Sequence, residues 1–122
     1  MRFIITFIFW ALLSSSAWAI DINQLADAIY KAEGGNKTKH PYGILSVKCK
    51  TTQDCRQICI NSIKHNLTRF KKNRGATVTP EAFIAFMGAR WAPVNATNDP
   101  EGLNKHWVKN VLFFYKKLDT QK

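Results

Sequence analysis

The N-terminus constrains this chain before any helix is considered. Arg2 gives a short positive start, and Phe3 to Leu13 is almost unbroken apolar sequence. Ser14-Ser15-Ser16 then leads into Ala17-Trp18-Ala19, the small-x-small ending that a signal peptidase recognises. A membrane-spanning helix needs about 20 apolar residues, so this run is short for a permanent anchor. Residues 1–19 are therefore expected to be a cleavable signal peptide, and residues 20–122 a single domain. That reading makes the protein periplasmic or secreted. It leaves 103 residues to fold, enough for one modest core.

Export shapes how the cysteines and the charge are read. Cys49, Cys55 and Cys59 would meet an oxidising compartment, where a disulfide is expected. Three is odd, so one sulfur is left over. Cys49 with Cys55 is the favoured pair, closing a short loop onto a helix start. Cys59, four residues on, would face the core as a small apolar group. A cysteine nucleophile would need a nearby base that spacing does not place. No fourth ligand suits zinc, and no metal or cofactor is expected. The net charge of +10 falls to +9 once Arg2 leaves with the signal, a field that attracts polyanions as well as aiding solubility. Export argues against nucleic acid as the partner, and no later apolar run is long enough for stable membrane insertion.

The mature chain reads as mainly α. Asp21 is a good N-cap, and Ile22, Leu25, Ala26 and Ile29 repeat at helical spacing up to Gly34-Gly35. Residues 36–50 read as irregular, with Ile44 to Val47 a buried turn or short strand. Thr51 or Thr52 starts a second helix whose apolar line is Cys55, Ile58, Cys59, Ile63, Leu67 and Phe70, and Arg56, Lys64, His65 and Arg69 read as its solvated face. Lys71 to Gly75 is expected to break that helix as a basic loop. Thr79-Pro80-Glu81 and Asp99-Pro100-Glu101 each combine a cap, a proline and an acid, and predict two more helix starts. The last helix would turn Leu103, Trp107, Val111 and Phe114 inward.

Glu33 is out of place in this pattern. It falls four residues past Ile29 and seven past Ala26, close to the middle of the buried face of the first helix. A carboxylate aimed at an apolar core keeps its proton more readily, and a helix C-terminus disfavours negative charge further. A carboxylic acid protonated near neutral pH is what a general acid needs. The simpler readings are a structural carboxylate paired with Arg90, or a helix end emerging into solvent. The other acids have ordinary places, at helix starts or on exposed positions.

Two stretches carry a resemblance. Ala28-Ile29-Tyr30-Lys31-Ala32-Glu33-Gly34-Gly35, followed by Pro41-Tyr42-Gly43-Ile44-Leu45-Ser46, resembles the catalytic segment of lysozyme-like lytic transglycosylases, in which a helix ends in the catalytic glutamate. Gly43-Ile44-Leu45-Ser46 would stand where that superfamily has Gly-Leu-Met-Gln, with Ser46 replacing the glutamine. The glutamate is not followed by serine, and the loop to Gly43 is short. Phe83 to Pro93, Asn98-Asp99-Pro100 and Asn104-Lys105-His106-Trp107 resemble the second half of small exported proteins of the same group.

The resemblance implies a lysozyme-like helical domain acting on peptidoglycan. Glu33 would be the single general acid and base, cutting between N-acetylmuramic acid and N-acetylglucosamine. Tyr42 and Ser46 would line the cleft. Arg90 would hold anionic groups and Trp91 would stack on sugar, or the two would be an ion-paired arginine and a core aromatic. A non-catalytic wall-binding or inhibitor protein on the same fold, and a basic membrane-active toxin, are the alternatives from other classes.

Overall fold

In a computed structural model of the chain, the structure describes residues 19–43, 49–97, 99 and 101–122. Among the described residues there are four α-helices: α1 (Ile22–Ala32), α2 (Thr52–Arg74), α3 (Pro80–Trp91) and α4 (Trp107–Asp119). Short 3-10 turns at Gly35–Lys37, Pro41–Gly43 and Leu103–His106 connect them, and there is no strand among the described residues. The domain is mainly α. The signal segment through Trp18 and the Ile44–Val47 run lie outside the described residues.

The helix starts follow local chemistry. Asp21, Thr51 and Thr79 each accept a hydrogen bond from a backbone N–H three residues on, satisfying a donor that the helix itself leaves open. Pro80 follows Thr79, where its missing N–H costs nothing. Two boundaries differ from the sequence reading. Helix α2 continues through Lys71 and Lys72 to Arg74, and Gly75, at φ +90°, ends it. Cations in a last turn favour the helix dipole, so loss of apolar periodicity there does not end the helix. The Asp99 start does not lead directly into a helix. Its carboxylate accepts from the N–H groups of Leu103 (2.9 Å) and Asn104 (2.8 Å), but Gly102 takes a left-handed φ of +69° and only a 3-10 turn forms before Trp107.

Helices α1 and α4 run antiparallel. The N-terminal end of α1 is tied to the C-terminal end of α4, where Asp21 N–H donates to the Tyr115 hydroxyl and Gln24 Nε2 donates to the Tyr115 carbonyl and to Asp119, each at 3.0 Å. Leu25 and Ile29 from α1, Cys59 and Ile63 from α2, Phe83, Ile84 and Met87 from α3 and Val111 from α4 close the core with no residual exposure. Burying a side chain of Leu, Ile, Met or Phe size stabilises by about 1.5–3 kcal/mol, so this set is the main cohesive force. Phe70 meets Phe83 and Phe86 edge-on, joining the far half of α2 to α3. A disulfide joins Cys49 to Cys55 and anchors the connecting segment at the start of α2. Gly88 lets α3 and α4 approach closely: a Cβ there would lie 2.6 Å from Val108 Cγ2 and 3.0 Å from the Trp107 ring.

Among the described residues, no helix is long and apolar enough to cross a membrane.

Candidate active site

Glu33 sits at the point where α1 stops. Its N–H still donates to the Ile29 carbonyl at 2.9 Å, while its own backbone has left the helical region (φ −86°, ψ 6°). Gly34 follows at φ +97°, a left-handed conformation that glycine adopts without a steric penalty. The helix thus ends immediately after its last inward position, and the carboxylate projects at the seam between α1 and α4.

Two groups hold that carboxylate. Trp107, the first residue of α4, donates its indole Nε1–H to Glu33 Oε1 at 2.7 Å. Gly43 covers it from the other chain segment: a Cβ at Gly43 would lie 2.6 Å from Glu33 Cδ, so any side chain there would displace the acid. Gly43 also has φ +66°, a second reason for glycine at this position. Gly88 completes the arrangement indirectly, since its bare Cα is what leaves room for the Trp107 ring.

Burial raises the pKa of Glu33 above its ordinary value, and the Trp107 hydrogen bond opposes the rise. The causes are physically distinct. Leaving water penalises the charged form, whereas an N–H donor favours it. The site therefore combines a carboxyl whose burial favours the protonated form with a donor already placed for the moment the proton departs.

Two clefts meet at this residue. One, of about 410 Å³, is walled by Thr38, His40, Gly43, Arg90, Trp91 and Asp99. The other, of about 380 Å³, is walled by Ala32, Leu103, His106, Trp107 and Asn110. Glu33 and Asn104 border both. Asp99 is a second carboxylate in the first cleft, but both of its oxygens accept backbone N–H groups, as described above.

The expected site residues divide as follows. Arg90 and Trp91 share the first cleft with Glu33. Arg90 is exposed and forms no ion pair with Glu33, so the structural pairing considered for it is replaced by the Trp107 hydrogen bond. Trp91 is half-buried, its ring 6.5 Å from that of Trp107, which makes it both a packed aromatic and a cleft wall. Tyr42, expected at the cleft, is buried at 4 % exposure and is not among the residues lining either cleft. Its φ of +63° is a conformation few non-glycine residues adopt, and it turns the ring inward onto Tyr30, 5.0 Å away. Its hydroxyl accepts from Arg56, which also pairs with Asp27. Arg56 is accordingly not part of a solvated face. Ser46 lies outside the described residues.

Cys59 is buried and free, and burial pushes its thiol up to about 12, with Arg56 opposing and Glu33 adding to the rise. Such a thiol holds almost no nucleophilic thiolate at neutral pH. Among the described residues, no three His, Cys, Asp or Glu side chains cluster in a way that could hold a metal ion.

The residues that sequence reasoning missed are Trp107 as the partner of Glu33, and Gly43 and Gly88 as the spaces that seat the acid and the indole. Trp107 was legible as an inward-facing residue, but its pairing spans 74 positions.

No family model, curated protein or solved structure matches this chain.

Proposed function

We propose that this protein cleaves peptidoglycan glycan strands between N-acetylmuramic acid and N-acetylglucosamine, with Glu33 as the single general acid and base of a lytic transglycosylase reaction. One observation carries the reading: a half-buried carboxyl with a raised pKa, held by Trp107 against Gly43, at the meeting point of two clefts.

In this reaction Glu33 protonates the bridging oxygen, and the bond from that oxygen to the muramic acid C1 breaks. The carboxylate that remains is stabilised by the Trp107 N–H, which then matters most, since hydrogen bonds to an ionised acceptor are the stronger ones. Glu33 next takes the proton of the sugar's own 6-hydroxyl as its oxygen closes on C1, giving a 1,6-anhydro ring and returning the acid to its starting form. No water is consumed. Hydrolases of this general kind use two carboxylates. The engagement of Asp99 with two backbone donors supports chemistry with one. Arg90 would meet carboxylates of the peptide stems, and Trp91 would offer a ring face to a sugar.

Digestion of purified sacculi, with mass spectrometry of the soluble products, tests the reading. Anhydro-muropeptides are expected from the wild-type protein. Glu33→Gln should fold normally and lose about 10²–10⁴-fold of the rate, the range spanned by a positioned acid–base group. Reducing-end muropeptides would transfer the chemistry to water, with Asp99 as the first candidate base. Binding to sacculi without any release would make the protein a non-catalytic wall binder.

A further inference from the structure

The first two residues of an outward stripe that starts at His106, the residue before α4, and continues along α4 already belong to a cleft at Glu33. His106 and Asn110 line the second cleft. Phe113 and Lys117 follow at spacings of three and four, so on a helix the four residues share one face. From Asn110 to Lys117 the stripe runs for about 10 Å beyond the cleft at 1.5 Å per residue. An exposed phenylalanine alone needs no explanation. Here Phe113 is 60 % exposed and in register with two cleft-wall residues, and its ring is held edge-on by Phe114 at a centroid distance of 5.3 Å. Lys109 and Lys117 flank it, both exposed and without an ion pair among the described residues. No acid lies between Glu101 and Asp119 in the sequence, and Glu81 of α3 is taken up by Lys116 beside the stripe.

We infer that the outer face of α4 is an accessory binding track for the same anionic glycan polymer, continuing the second cleft away from Glu33. The inference rests on the proposed function for the identity of the polymer. Continuity favours that occupant: a strand seated at Glu33 and leaving past His106 and Asn110 runs onto Phe113, whose ring face suits a sugar, and between two lysines suited to stem-peptide carboxylates. A track outside the cleft retains a long polymer between cleavage events and contributes nothing to a short fragment that fills only the clefts.

Pull-down on sacculi tests this in the Glu33→Gln background, so that binding is read without turnover. The double variant Phe113→Ser/Lys117→Glu alters exposed positions only, and an unchanged thermal midpoint verifies its fold. Its affinity for sacculi should fall roughly tenfold, the size of two modest contacts. Lys64→Glu on α2 makes the same charge change elsewhere and should bind far more tightly than the double variant. Equal binding by the double variant and its parent would overturn the track, as would an equal loss in Lys64→Glu. Vesicles carrying phosphatidylglycerol serve as a second probe: loss of binding to them, with sacculus binding retained, would assign the face to lipid and overturn the inference. Absence of any sacculus binding by the parent would overturn both readings. If the track variant loses binding but the wild type releases no fragments, the catalytic reading alone fails.

Discussion

Helices α1 and α4 meet at two ends, and the ends are built on opposite electrostatic plans. At the end holding the N-terminus of α1, several polar groups are tied together, although Gln24 Oε1 is buried without a partner. Asp21 caps the helix, accepts from Gln24 N–H and pairs with Lys122, while Gln24 ties to Tyr115 and Asp119. At the other end Glu33 has one side-chain donor, Trp107, and is half-buried. The two carboxyls respond in opposite directions. Hydrogen bonding from the Gln24 backbone, with Lys122 adding to it, holds Asp21 below its ordinary value, whereas burial pushes Glu33 above its own. One helix pair therefore has an end where hydrogen bonds favour the charged carboxylate and an end where burial favours the protonated one. What separates them is that burial dominates at Glu33 and backbone hydrogen bonding dominates at Asp21.

The comparison can be broken at four points beyond the loss of turnover in Glu33→Gln. The largest effect should come from Gly43→Ala. Its Cβ would overlap Glu33 Cδ and force the acid out of place, and misplacement by about 1 Å costs on the order of 10²-fold in rate. The positive φ adds a stability loss of about 1 kcal/mol, measurable by denaturant unfolding. Unchanged turnover would mean that the carboxylate is not held where it acts.

Trp107→Phe should follow, with a rate loss of about tenfold. It removes the donor that lowers the Glu33 pKa, so that pKa should climb further. Because the acid must be protonated in the free enzyme, kcat/KM falls as pH rises through that pKa. In the variant this fall should move to higher pH. A fall that stays in place would separate Trp107 from the acid and leave it a packing role alone.

Asp21→Ala tests the fastening end. Loss of an N-cap typically costs about 1 kcal/mol. Asp21 has a lowered folded-state pKa, so its contribution is present above the unfolded carboxylate value and fades as pH falls through the lowered one. Thermal melts should show the deficit at neutral pH and its decline in acid.

The smallest effect is on the stability of Glu33→Gln, and its sign is reversed. A raised folded-state pKa means that the carboxyl costs nothing below its unfolded value and costs stability as pH rises through its folded one. The glutamine can still accept from Trp107, so the variant should melt above the wild type at neutral pH and match it in acid. A variant less stable than wild type at pH 7 would show the charged form to be favourably held, which is incompatible with a resident acid.

Much of this plan was legible in residue order. The caps Asp21, Thr51 and Thr79 and the inward positions of α1 depend on groups three or four residues apart, and the same periodicity put Glu33 on the buried side of its helix. Misreadings arose where local signals were overruled. Lys71 to Arg74 carry no apolar pattern yet continue α2, because a helix already formed extends by one bond per residue and its dipole favours cations at that end. Tyr42 was read as a cleft residue from its place in a motif, but a left-handed backbone turns its ring into the core, where Arg56 meets its hydroxyl.

The sequence by itself determined that the chain forms mainly helices, where three of them begin, and that one acid would close the first helix on its buried side. Those outcomes follow from backbone and side-chain contacts within a turn or two. Only the tertiary structure decided how that acid is held. Trp107 and Gly43 reach it from two separate segments, Gly88 of a third makes room for the indole, and their meeting depends on how closely those segments can pack. That closeness is a property of side-chain volumes summed across the core, and no spacing within one helix contains it.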